Sequence, residues 1–235
     1  MPPLIEDFCV ALGEGGTVSA RRYLAAAGAP VATLVLAHGA GAGQRHPFMV
    51  ACAEGLAARG VDTVTFDFPY MEAKRRVPDR APVLEQAYLA VIREVRGLPG
   101  IGARQVFIGG KSMGGRMASH VAARHATVAG PLAGLVFLGY PLHPPGRLDQ
   151  LRDSHLPDVA APMLFVQGER DTFGTPDELR PVLARLSAPA ELMVVDGGDH
   201  SFAVPRATGR SAASVRDQVL DGIVAWVRRE QLGSG

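Results

Sequence analysis

Gly110-Lys111-Ser112-Met113-Gly114 sets a serine between two glycines as G-x-S-x-G. This is the spacing of a sharp strand-to-helix turn that holds a hydroxyl out for nucleophilic attack. The β-rich run Gln105–Ile108 enters it, and the helix-compatible run Arg116–Ala123 leaves it. A serine hydroxyl is a weak nucleophile at neutral pH, so it needs exposure, a base and donors for the developing oxyanion. The rest of the chain offers each. Met163–Gln167 reads as a strand followed by Gly168-Glu169-Arg170-Asp171, and Leu192–Val195 as one followed by Asp196-Gly197-Gly198-Asp199-His200. His200 can take the serine proton, and Asp171 can hold the imidazole in the right tautomer. Glu169, Asp196 and Asp199 compete for the acid's place; Asp171 is preferred because a position a few residues past the strand can curve toward the histidine.

Two backbone amides complete the set. Met113 follows the serine, and Ala40 lies in His38-Gly39-Ala40-Gly41-Ala42-Gly43, after the most apolar strand in the chain. These are the expected oxyanion-hole donors. Tyr70 and His143 fall in loops near strand ends and are candidate substrate contacts. His46 shares that position, His38 is expected to brace its turn, and His120 and His125 are expected to be packing or surface residues. The histidines lack metal-ligand spacing, so no metal is expected, and the helical stripes contain no cofactor box, so no cofactor is expected.

Two phosphate-binding readings fail on spacing. Gly110-Lys111-Ser112 could end a G-x-x-x-x-G-K-[ST] loop, but Gln105 stands where that motif needs glycine. Gly39-x-Gly41-x-Gly43 is not G-x-G-x-x-G, and Asp67 is the nearest acid to a ribose-binding position.

Short β-rich runs alternate with helical patterns, the sign of a parallel sheet covered on both faces. Strands are expected at Ile5–Val10, Thr17–Tyr23, Val31–Ala37, Val61–Phe66, Gln105–Ile108, Leu135–Leu138, Met163–Val166 and Leu192–Val195. Apolar stripes at helical spacing occupy Phe48/Cys52/Leu56, Leu84/Tyr88/Val91/Val95 and Val215/Val219/Ile223/Trp226. Residues 1–235 read as one domain, with 232–235 a native tail or a cloning remnant. The span from the strand ending near Gly139 to the one beginning near Met163 is too short for a lid domain, and its proline-rich run Tyr140–Gly146 reads as a loop at the sheet's carboxyl edge. A net charge of +1 selects neither nucleic acid nor membrane. Two isolated cysteines and no signal peptide or membrane-length apolar run suggest a cytoplasmic protein.

These residues resemble an α/β-hydrolase over nearly the whole chain. Gly109–Ser119, Gly139–Gly146 with Gln150-Leu151-Arg152, and Phe165–Gly174 are similar to segments of its KANL3/Tex30-like branch, related to dienelactone hydrolases. The resemblance implies an eight-stranded, mostly parallel sheet with a first antiparallel strand. It carries nucleophile, acid and base onto Ser112, Asp171 and His200, and it carries no substrate. Dienelactone hydrolases commonly have cysteine at this turn, so serine argues against that activity. The expected function is hydrolysis of a small carboxylic ester through an acyl-enzyme, with a thioester substrate as a variant. The competing reading is a binding or scaffolding protein on a retired hydrolase fold, since some relatives are assembly subunits; no feature of the sequence marks a protein partner.

Overall fold

Side chains alternate with period two between the two faces of the central strands, all of them buried, and each strand feeds two separate cores. Leu34 and Leu36 face one side while Val35 and Ala37 face the other. Val136 and Leu138 oppose Leu135 and Phe137, and Leu164 and Val166 oppose Met163 and Phe165. A strand buried on both faces reads as a nearly continuous apolar run for this reason.

The computed structural model describes residues 2–13, 15–26, 30–99, 101 and 106–232. The strands are β1 (Ile5–Ala11), β2 (Thr17–Tyr23), β3 (Ala32–Ala37), β4 (Val61–Phe66), β5 (Val106–Lys111), β6 (Gly134–Leu138), β7 (Met163–Gly168) and β8 (Ala190–Val195). The helices are α1 (Pro47–Ala57), α2 (Pro69–Glu72), α3 (Ala81–Gly97), α4 (Met113–Arg124), α5 (Ala126–Ala129), α6 (Pro176–Leu183) and α7 (Ala212–Leu232). One eight-stranded sheet runs β1-β2-β4-β3-β5-β6-β7-β8. The expected start of the fifth strand at Gln105 and the tail at 233–235 lie outside the described residues.

Beyond β2 all neighbours pair in parallel. The expectation that the first strand runs against the rest is corrected: β2 is antiparallel to both β1 and β4. A short hairpin between β1 and β2 imposes this, because only antiparallel strands join through a tight turn.

Helices cover both faces. Met49, Cys52 and Leu56 of α1 join Val219, Ile223 and Trp226 of α7 in one core. Tyr88, Val91 and Val95 of α3 join Met117 and Val121 of α4 in the other. Between β6 and β7 there is only loop and a single 3-10 turn, Leu156–Asp158, so the sheet edge carries no lid domain. No helix among the described residues is long and apolar enough to cross a membrane.

The strand order reverses at β3, which lies between β4 and β5. The chain leaves β3 toward α1 on one face and leaves β5 toward α4 on the other. A crevice must open between the diverging loops at the carboxyl ends of such strands. Tyr88 locks this place from beneath: its hydroxyl lies 2.9 Å from Val35 O and 2.7 Å from Gly109 O, and it accepts from the Gly109 N–H at 3.0 Å.

Candidate active site

The corner at Ser112 is strained, and its neighbours show why. Ser112 has φ 51° and ψ −115°, in a region that favours glycine. A Cβ on Gly110 would lie 2.5 Å from Ala37 O and 2.6 Å from the Gly114 carbonyl carbon. One on Gly114 would overlap Ala37 O and sit 2.6 Å from His38 O. Both glycines are therefore spacers that let α4 rise directly off the β3–β5 pair. Gly114→Ala is expected to destabilise by about 3 kcal/mol, because the obstacle is backbone rather than a side chain that can turn away. Gly41 has φ 74° and open space around it, so Gly41→Ala should cost only about 1–2 kcal/mol. Urea unfolding of the two variants checks the order.

The loop after β3 packs against this corner. His38 is fully buried; its Nε2 accepts from the Phe68 N–H at 3.1 Å, so Nδ1 carries the proton and donates to Gly39 O at 2.8 Å. Burial holds its pKa below the usual histidine range, so the ring acts as a neutral brace. Asp67 is likewise structural, accepting from the Gln44 N–H at 2.7 Å to fix the far end of the loop. Ala40 is exposed in this loop and lines the same cavity as Ser112 and Met113. As the first residue of α4, Met113 has an N–H without an intrahelical acceptor.

On the acid side, Asp171 is fully buried at the end of β7. Its Oδ2 lies 2.7 Å from His200 Nδ1 and accepts from Gln167 Nε2 at 2.8 Å, while Oδ1 accepts from the Phe173 N–H at 2.9 Å. Two of its competitors are occupied elsewhere. Glu169 accepts from the Gly197 N–H at 2.6 Å, and Asp199 accepts from the Ser201 and Ala203 N–H groups of its own loop. A carboxylate bonded to Nδ1 leaves Nε2 as the imidazole's outward face. The ring rests on Phe173 with centroids 4.4 Å apart, and His200 joins Ser112 on the wall of the cavity.

That cavity measures about 480 Å³ and opens to solvent between the β3, β5 and β8 loops. Phe48, Met49 and Phe173 give it apolar walls. Tyr70 and His143, expected at the substrate, do not line it. Tyr70 is fully buried with its ring 5.9 Å from His38, because α2 turns it inward beneath the loop. His143 is buried, with Nδ1 on Pro144 O at 2.9 Å and Nε2 3.4 Å from Glu178 at the start of α6.

Two positioning residues were not visible in the sequence. Gln167 is fully buried and accepts from the Tyr140 N–H at 2.8 Å while donating to Asp171, so it ties the β6 loop to the acid. Lys111 read only as part of a false phosphate motif. Its ammonium donates to His200 O at 2.6 Å and lies 5.9 Å from the ring centroids of both Phe48 and Phe202. Burial lowers its pKa to about 8, against the opposing pull of Asp171 and Asp199. Glu85, His120, His125 and Arg124 form a separate, partly buried network joining α3 to the end of α4, so the two histidines are structural. Among the described residues no cluster of His, Cys, Asp or Glu could hold a metal.

A reversing parallel sheet with a strained serine corner at its switch point defines an α/β-hydrolase fold. The chain belongs to the alpha/beta hydrolase domain family, whose model matches residues 30–228. Its fold is similar to that of a dienelactone hydrolase from Anabaena variabilis, with TM-score 0.75 and 20% identity over 96% of this chain and 97% of that one. An α/β serine hydrolase homologue from Coxiella burnetii matches with TM-score 0.71 and 21% identity, covering 95% and 96%. An α/β serine hydrolase without lid from Xanthomonas campestris matches with TM-score 0.70 and 18% identity, covering 96% of each chain.

Proposed function

We propose that the protein is a serine hydrolase that cleaves a small carboxylic ester through an acyl-enzyme. The observation that carries this is a strained Ser112 on the same cavity wall as His200, whose other ring nitrogen is bonded to a buried carboxylate. In this reading His200 Nε2 removes the Ser112 proton as Oγ attacks the ester carbonyl. The tetrahedral oxyanion is held by the Ala40 and Met113 amides. Asp171 stabilises the imidazolium, which then protonates the departing alkoxide. Water, activated by the same imidazole, attacks the acyl-enzyme and frees Ser112. The open cavity suits short acyl groups, and a thioester would follow the same steps. Serine at the corner, with the segments similar to the KANL3/Tex30-like branch, supports this over a dienelactone substrate. The unpaired thiols, Cys9 exposed and Cys52 buried, support a reducing, cytoplasmic setting.

A fluorophosphonate probe should label the wild type once per chain, on the peptide bearing Ser112, and spare Ser112→Ala. A folded wild type that resists the probe, and turns over neither nitrophenyl esters nor acyl-CoA thioesters, would overturn the proposal in favour of a scaffolding role.

A further inference from the structure

The charged lining of the Ser112 cavity is of one sign. Lys111, Arg116 and Arg152 contribute to its wall, and no aspartate or glutamate among the described residues does. Lys111 is engaged with the His200 carbonyl. The arginines are different. Neither guanidinium makes an ion pair among the described residues, and Arg116 Nε is buried without a hydrogen-bond partner. A buried donor of this kind carries a desolvation cost that its surroundings leave unmet.

The acids nearby already have other partners. Asp153, next in sequence to Arg152, pairs with Arg185 at 2.8 Å; Asp171 serves His200; Glu85 serves His120, His125 and Arg124. The two arginines are also close enough to feel each other. Burial first, and then the charge of Arg116, press the pKa of Arg152 downward. The fold holds both in place. The Arg116 N–H donates to Ser112 O at 3.1 Å, fixing it one helical turn along α4 from the serine. Arg152 is fixed through its backbone, with its N–H on Leu142 O and its carbonyl accepting from the Tyr140 hydroxyl, each at 2.8 Å. Two like charges, partly removed from water and left without a counter-ion, are unfavourable in isolation. They become favourable when an oxyanion bridges them, because guanidinium donors match carboxylate and phosphate oxygens as pairs.

We infer that Arg116 and Arg152 form an anion subsite, so that the substrate is an ester carrying a second, negatively charged oxyanion group about one helical turn from its scissile carbonyl. This rests on Ser112 being the nucleophile, and it narrows the substrate class from small esters to anionic ones. A single-sign cavity also draws such substrates in from solution, an effect that weakens with salt.

The test separates binding from catalysis by using Ser112→Ala, which cannot turn over. Calorimetric titration compares monoethyl glutarate, ethyl phosphonobutyrate and neutral diethyl glutarate. At least one anionic ester should bind about 10-fold or more tightly than the diester, with the difference shrinking at high salt. Adding Arg152→Gln should remove most of that preference, and Arg152→Lys should retain part of it through charge alone. The better anionic ester identifies a carboxylate or a phosphoryl group. Diester binding as tight as both anions, no response to Arg152→Gln, or no anion binding at millimolar concentration would each overturn the subsite. Loss of the nucleophile reading instead shows in the fluorophosphonate experiment, which does not depend on the arginines.

Discussion

Ser112→Ala should lower kcat/KM for a nitrophenyl ester by about 10⁶-fold, leaving only the residual effect of oxyanion donors and binding. The same position predicts a stability change of opposite sense. At φ 51° and ψ −115° the serine holds a backbone conformation costing about 1–3 kcal/mol for a residue with a Cβ. Ser112→Gly removes that strain and returns about 0.5–1 kcal/mol to the unfolded chain as entropy. A net stabilisation of about 1 kcal/mol is expected beside a loss of turnover of about 10⁶-fold, measured by urea unfolding and ester hydrolysis on one preparation. A glycine variant less stable than wild type would show that the corner is not strained.

Asp171→Asn should cost about 10⁴-fold in kcat with the fold intact. The carboxylate faces three donor groups: Gln167 Nε2 and the Nδ1 side of His200 at one oxygen, and the Phe173 N–H at the other. An amide offers one acceptor atom and one donor atom, so it must oppose a donor whichever way it turns. If its NH₂ faces His200, the ring is driven to the tautomer with a protonated Nε2, which cannot accept from serine. Glu169→Gln and Asp199→Asn are the controls. Each should stay within about 3-fold of wild type, since those carboxylates hold loop amides rather than the imidazole. A large loss in Asp199→Asn with little in Asp171→Asn would reassign the acid.

What could be read from the letters follows from the range of each interaction. The serine corner was legible because its requirement is local: Gly110 and Gly114 are demanded by contacts within one turn and the adjoining strand. The strands were legible for a related reason, since burial on two faces leaves runs such as Thr33–Ala37 nearly free of polar groups. Four carboxylates compete for the acid's place, with Asp171 preferred on position alone, and the folded loops show where the hydrogen bonds of Asp171, Glu169 and Asp199 go. Tyr70 and His143 do not line the cavity, because proximity to a strand's end does not set which way a short helix or a proline-rich loop turns the ring. Gln167, Arg116 and Arg152 stand in segments whose spacing assigns them no role, and Lys111 shows only an incomplete phosphate-loop motif. The partners of Gln167 and Lys111 lie on other loops, 27 residues away for Gln167 and Tyr140 and 89 for Lys111 and His200.

That last contact has a mechanical result. Lysine 111 ends the strand that presents the hydroxyl, and it grips the main chain of the loop that bears the imidazole. Both groups thus take their alignment from a common rigid datum, even though nearly ninety residues of chain separate them. Loss of the proton near pH 8 would leave a neutral amine that still has two hydrogens to give, so this strut keeps its hold on either side of its titration.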